Sequence, residues 1–365
     1  MNMRRVWSKK ATFFIVCITM IILALGCSKK QDSNVSVDTV KSGNDAGDKR
    51  VTKENEKKEL KIVRIAAPGS NGELLENGKI AQKLGYIDEE LEKVGYKVEY
   101  KGFAGAGPAI NEAYGSKEID LAVYGDLPNL VAINNDIDIK VFAAVNTDAH
   151  FGILVQNDSD IKSSADLEGK KVIVAKGTTA HKYFEDLVVA NHLDESKINV
   201  VNAVADAQTI FASKEADALP TALYSVYYYE SLGLGKVIET SEEHDEWSCQ
   251  YFFSGRREYL TENPLVAEAI IRALKRAQDY IKNNPKQYGL LLAQEGGINA
   301  EAYQKANSFD ETFGNLSPEL TDASFDKVTT LIKFATENGL IAKELKVEDV
   351  IDTSYYETVK AENNQ

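Results

Sequence analysis

Lys176-Gly177-Thr178-Thr179-Ala180-His181 follows the apolar run Lys171-Val-Ile-Val-Ala175, so two hydroxyls and an imidazole sit where a strand ends and a helix begins. Residues of these types at such a junction hold a ligand rather than break a bond. A helix N-terminus offers free N–H groups and the positive end of its dipole. With Thr178, Thr179 and His181 as further donors, an anion is the natural guest. Two more junctions share the pattern. In Gly102-Phe-Ala-Gly105-Ala106-Gly107-Pro108, the glycines let backbone approach a ligand closely, and Pro108 suits a first helical position. In Gly125-Asp126-Leu127-Pro128, Asp126 is placed to cap a helix over 129–134. Thr178 is likewise placed to cap a helix that buries Ala180, Tyr183, Phe184, Leu187 and Val188. The alternative at each junction is that glycine and threonine only turn the chain and cap helices.

Other chemistry finds little support. The turn at 176–181 has neither a nucleophile elbow nor a nucleotide-binding glycine spacing. The four histidines, His150, His181, His192 and His244, lack metal-ligand spacing, so neither a metal nor another cofactor is expected. His192 reads as a surface residue. Arg256 could pair with an anion or make a salt bridge within the protein. Of Cys17, Cys27 and Cys249, only Cys249 falls in the folded part, which leaves no internal disulfide or thiolate cluster. Cys249 is expected to be buried and inert.

The first thirty residues indicate the compartment. Arg4, Arg5, Lys9 and Lys10 precede an apolar stretch of fifteen residues, 11–25, and Leu25-Gly26-Cys27 follows. Fifteen residues are too few to cross a hydrocarbon core of about 30 Å comfortably, so residues 1–26 are expected to be a signal peptide. Residues 27–59 are polar and charged with few apolar side chains, the composition of a disordered tether. The chain carries a formal charge of −14, and its leader holds four basic and no acidic residues, so the mature chain stands at −18. That charge argues against nucleic acid as a partner and against tight binding of the body to anionic lipid.

The elements that must position the junctions follow from periodicity. Short β runs at 61–67, 97–100, 119–124, 140–145, 151–155, 172–175, 198–201 and 216–219 alternate with helical patterns. This indicates an α/β fold with mostly parallel sheets. From Asn263 onward the pattern is helical, with Ala267, Ile270, Ile271 and Leu274 marking a buried face. The final hundred residues read as helices packed on a finished sheet.

Several runs together resemble the solute-binding proteins of ABC importers for aliphatic sulfonates, taurine and nitrate. The marks are Gly102-Phe-Ala-Gly-Ala-Gly-Pro-Ala109, Glu118-Ile-Asp-Leu-Ala-Val-Tyr-Gly-Asp-Leu-Pro128, the run 161–172, and Lys176-Gly-Thr-Thr-Ala-His181. Val204-Ala-Asp-Ala-Gln208, Ala216-Asp-Ala218 and Gln250-Tyr-Phe-Phe with Arg256 continue the order. The resemblance covers about residues 62–264. It implies a two-lobed, periplasmic-binding-protein-like type II fold, each lobe a mostly parallel sheet flanked by helices. Lobe one would be 60–147 plus 250–365, and lobe two 148–249.

By the same carry-over, Ser70, Asn71 and Gly72 sit at the first cleft loop, Gly105, Ala106 and Gly107 at the second, and Asp126 near the third. Thr178, Thr179 and His181 face them from the other lobe. Where many members carry Trp-Asp-Pro-Tyr, this chain has Ala222-Leu223-Tyr224-Ser225, so Tyr224 or Tyr227 takes the aromatic role. Cys27 resembles the lipidated first residue of a bacterial lipoprotein, which implies a palmitate-type anchor on the extracytoplasmic side of the cell membrane. The implied protein is a monomer, not an enzyme. It would pass a small, anionic, sulfonate-like ligand to an ABC permease and its ATPase. A thiamine-precursor protein or enzyme on the same fold, or a receptor for a signalling partner, are the alternatives.

Overall fold

The computed structural model describes residues 59–362 apart from 295–296 and 309. The predicted signal peptide, Cys27 and nearly all of the tether lie outside the described residues.

The chain opens with β1 (Lys61–Pro68), α1 (Glu76–Lys83), α2 (Tyr86–Lys93), β2 (Tyr96–Phe103), α3 (Ala106–Gly115), β3 (Leu121–Gly125), α4 (Asp126–Asn134) and β4 (Ile139–Ala149). It continues through β5 (Phe151–Val155), β6 (Lys171–Val174), α5 (Thr179–Ala190), β7 (Asn199–Asn202), α6 (Ala207–Ala212), β8 (Ala218–Ala222), α7 (Leu223–Ser231) and β9 (Lys236–Thr240). β10 (Cys249–Arg256) precedes α8 (Arg257–Glu262), α9 (Pro264–Asn283), α10 (Tyr288–Leu292), α11 (Ala300–Ala306), α12 (Asp322–Glu337), α13 (Val347–Val350) and α14 (Ser354–Glu362).

The strands form two five-stranded sheets, ordered β2-β1-β3-β10-β4 and β7-β6-β8-β5-β9. Each is parallel except for one strand: β10 runs against β3 and β4, and β5 runs against β8 and β9. Sequence composition tracks position in the sheet. β3 (Leu-Ala-Val-Tyr-Gly) and β5 (Phe-Gly-Ile-Leu-Val) are buried at every residue, as strands covered on both faces must be. The edge strand β7, Asn199-Val-Val-Asn202, has exposed ends and polar residues at both. α9 buries Ala267, Ile270, Ile271 and Leu274, the face that the sequence spacing marks.

The chain passes between the sheets twice, at 149–151 and between β9 and β10. Hydrogen bonds tie the two crossings together. Ser241 Oγ accepts from Phe151 N at 3.0 Å and lies 3.0 Å from His150 Nδ1. Lys327, on α12, donates to Asp148 Oδ1 at 2.7 Å and to Ser248 Oγ at 2.8 Å.

Three local expectations change. The third strand starts at Leu121 rather than 119, because Asp120 is committed to two arginines from neighbouring strands. Pro108 is the third residue of α3, not the first, and its missing N–H still falls in the turn where no intrahelical bond forms. β4 extends to Ala149 and so carries the chain directly into the first crossing.

Candidate functional site

Register places the functional turns together. Pro68 pairs with Phe103, so β1 and β2 end side by side, and β3 ends at Gly125 opposite Tyr251 of β10. In the second sheet β8 ends at Ala222, opposite Phe151, and β6 ends at Val174. Ligands of open α/β sheets bind at such carboxyl ends of strands. Here α1, α3, α4, α5 and α7 all start there, and none has a side-chain cap.

A cavity of about 120 Å³ lies between the two sets of turns. Ala106, Gly107, Gly125 and Pro128 face it from the first sheet, Thr178, Thr179 and Tyr224 from the second, and Tyr124 and Tyr251 wall it. A second cavity of about 190 Å³ shares Pro68, Leu75 and Tyr224 with the first and adds Glu76, Lys79 and Tyr303. A third, about 20 Å³, has room for about one water and lies among Glu76, Tyr224, Tyr251, Tyr288 and Tyr303. Tyr224 lines all three and stacks on Tyr303 at 4.6 Å between ring centres.

The turns touch across the cleft. A Cβ built on Gly125 would lie 2.1 Å from Thr179 Cγ2, and one on Gly107 would lie 3.2 Å from the Gly177 carbonyl. Gly177, at φ +78°, packs against Pro108, so glycine is required here for both its conformation and its closeness.

The residues singled out in the sequence divide into groups. Ala106, Gly107, Thr178, Thr179 and Tyr224 come together at the first cavity. Ser70 and Asn71 are exposed and line none of the three cavities, Gly72 packs on Tyr100, and Gly105 is exposed. Asp126 is buried but faces a separate groove of about 470 Å³ between α5 and α12. It is the first residue of its helix rather than its cap, and its Oδ2 accepts from Gln250 N at 2.8 Å. Burial pushes its carboxyl up despite that bond. Thr178 stands at the cap position of α5, but its hydroxyl donates backward to the Ala175 carbonyl at 2.7 Å.

His181 supports the turn from behind. Its Nδ1 accepts from Gly177 N at 3.2 Å, which leaves the proton on Nε2, 3.2 Å from Glu185. Arg256 pairs with Asp120 at 2.8 Å. Tyr227 turns away from the cleft to donate to Glu242 at 2.7 Å, so of these two it is Tyr224 that lines it. Cys249 is fully buried, and burial pushes its thiol well up.

Sequence reasoning missed Glu76, Tyr124, Tyr251, Tyr288 and Tyr303. Glu76 is only 5% exposed, and burial pushes its carboxyl up to about 7, opposed by hydrogen bonds from Tyr288 and Asn146. Its backbone is left-handed at φ +47°, a strained setting for a residue with a side chain. Lys79, three residues on, is paired with Glu73 at 2.7 Å.

Two mixed sheets joined by two crossings, with helix N-termini facing one another across the join, define a periplasmic-binding-protein fold of the two-lobed type. A sulfonate ABC transporter protein from Methylobacillus flagellatus KT, described as a periplasmic sulfonate-binding protein, superposes with a TM-score of 0.68 at 24% identity, over 84% of this chain and 96% of its own. The NMT1/THI5 like family matches residues 80–288, and the chain belongs to that family. A candidate aliphatic sulfonates-binding protein of Bacillus subtilis (strain 168) is 23% identical over 311 residues, covering 84% of this chain and 90% of the relative. The desulfurization enzyme DSZB shares the fold at 12% identity and a TM-score of 0.65, over 83% of this chain and 99% of its own. Fold alone therefore does not separate binding from catalysis.

Proposed function

We propose that this protein is an extracytoplasmic solute-binding protein that captures a small ligand with an anionic, sulfonate-like head group and delivers it to an ABC importer. The observation that carries this reading is the convergence of uncapped helix N-termini from both sheets on one cavity. Such ends stabilise negative charge without a lysine. The names of the relatives point to the same head group.

On this reading the sheets mark two lobes, 60–147 plus 250–365 and 148–249, that close on the ligand like a hinged clamp. The closed face then docks on a permease with its ATPase, while a lipid on Cys27 and the tether of 27–59 keep the protein at the membrane. An enzymatic role is disfavoured because the one cysteine of the described residues, Cys249, is buried with its thiol pushed well up, the opposite of an activated nucleophile.

Thermal melting of the body from Leu60 onward tests this, with alkyl and aryl sulfonates, nitrate, bicarbonate and pyrimidine precursors as ligands. A ligand at a hundred times its dissociation constant adds about 2.7 kcal/mol, an easily read shift. A sulfonate shift is expected that is lost in Thr178→Ala/Thr179→Ala. If no anion shifts the melt, the anion reading falls and the threonines are turn residues only.

A further inference from the structure

The groove between α5 and α12, outside the cleft, has the size and the walls of a binding site. Its volume is about 470 Å³, more than either of the larger cavities at the helix turns. Small-molecule pockets run to about 300–1,000 Å³, with mostly apolar and aromatic walls and a few placed polar groups. Here the walls are Trp247, Leu331 and Phe334, with Val189 at the lip, 46% exposed. α5 packs on β6 and β8, and Leu331 packs with Val141 and Phe252 of the other sheet, so each half of the fold supplies one side.

The charged groups of the groove decide what it can hold. Asp126, Lys182 and Asp186 are buried in it, Lys327 is half-buried, and Glu246 and Asp326 are exposed. Both lysines are committed within the protein. Lys182 lies 2.7 Å from Asp186 Oδ2 and donates to the Glu246 carbonyl at 2.8 Å. Lys327 donates to Asp148, Ser248 and the Thr147 carbonyl, which uses its three protons. An anionic guest would meet carboxyls and no uncommitted lysine. Asp126 is satisfied by the N–H groups of Leu127 and Gln250, at 2.7 and 2.8 Å. The Asp186 carboxyl has only Lys182 among the described residues. Burial pushes it up to about 7; Lys182 opposes the rise, and Asp126 and Glu246 add to it. A desolvated carboxylate so placed is stabilised by a further cation, and the aromatic face of Phe334, 6.0 Å from Lys182 Nζ, favours the same charge.

We propose that this groove is a second ligand site that takes an apolar amine, with its hydrocarbon or aromatic body against Trp247, Leu331 and Phe334 and its protonated nitrogen at Asp186. The groove shares no lining residue with the three cavities at the helix turns, and its guest does not depend on an anion there.

The chain has two tryptophans, Trp7 and Trp247, so the body from Leu60 onward keeps only the one in the groove. That body contains both sheets and every described helix. Its tryptophan emission is followed during titration with 4-phenylbutylamine, 4-phenylbutanol and 4-phenylbutyrate, which share a body and differ in the charge of the head. The amine is expected to change the emission and to bind at least about tenfold tighter than the alcohol, with the carboxylate weakest. Asp186→Asn is expected to bring amine and alcohol within about threefold of each other. Ala190→Phe, which fills the groove from an exposed position, is expected to weaken the amine about tenfold at unchanged melting temperature. Should Asp186→Asn not fold with Lys182 left unpaired, the wild-type series and Ala190→Phe decide. Equal affinity for the three compounds, no binding by any of them, or amine binding that Ala190→Phe leaves unchanged overturns the site. The sulfonate melting shifts are read separately, so this site and the cleft stand or fall independently.

Discussion

Gly125→Ala is expected to weaken ligand binding about thirtyfold while leaving the melting temperature of the free protein nearly unchanged. The added methyl would lie 2.1 Å from Thr179 Cγ2, with Thr179 Cβ and Oγ1 each at 3.3 Å. Rotating the threonine about χ1 brings its hydroxyl toward the same space, and a β-branched residue at the start of a helix has few rotamers to choose from. The two sets of turns must therefore separate. Overpacking of this kind costs about 2 kcal/mol, which falls on the closed form and so on affinity. The backbone of Gly125, at φ −74° and ψ 168°, accepts alanine without strain, so the fold itself should not suffer. Thr179→Ser removes the offending methyl and keeps the hydroxyl. The double variant Gly125→Ala/Thr179→Ser is expected to recover most of the lost affinity, a coupling that isothermal titration of the four proteins measures directly. If the single variant binds normally, or the double variant fails to recover, closure does not bring these two residues together.

How much of this was legible in the sequence depends on the range of the interactions. The β–α alternation is local, so both sheets and most strands were expected close to where they form. The buried faces of α5 and α9 followed from spacing, and Tyr183, Phe184, Leu187 and Ile270 are buried as that spacing requires. The turns holding Gly107 and Thr179 were legible because glycine and threonine at a strand-to-helix junction have local reasons to be there. Thr178 failed for a local reason: it was expected to cap α5, but the Ala175 carbonyl, three residues back, takes its hydroxyl first. Other failures were set by partners further along the chain. Tyr224 and Tyr227 could not be told apart until Tyr303, 79 residues on, and Glu242, 15 residues on, claimed one each. Glu76 carries no local signal in the sequence. It is buried because Asn146 and Tyr288, 70 and 212 residues away, fold over it, and no short-range pattern encodes that. β9 was missed because its half-buried residues show no alternation.

Asp120→Asn is expected to cost about 3 kcal/mol of stability, with little change in ligand affinity. The carboxyl side chain is 3% exposed and sits between two guanidinium groups. Arg64 donates from Nε at 2.9 Å and from a terminal nitrogen at 2.7 Å, and its backbone N–H adds a bond at 3.0 Å. Arg256 donates from the end of β10 at 2.8 Å. Burial alone would push this carboxyl up, but the bonds from Arg64 and Arg256 outweigh it and hold the group below the usual range. Removing the shared charge leaves two arginines facing each other across β1 and β10. Breaking a buried pair costs about 3–5 kcal/mol, and the lower end applies because the Arg64 side chain is 32% exposed. For a body of this size that is a fall in melting temperature of roughly 6 °C. The sign with pH follows from the depressed carboxyl: its contribution is present above the unfolded value of about 4 and is lost as pH falls through the folded one. The melting curves of wild type and variant should therefore be well separated at pH 7 and draw together below about pH 4. The same experiment decides the role of Arg256. If it is a strut of the first sheet, as its bond to Asp120 indicates, Asp120→Asn leaves sulfonate binding within about twofold at temperatures where the variant is folded, whereas an arginine in contact with the ligand would lose or gain affinity as its carboxylate partner disappears.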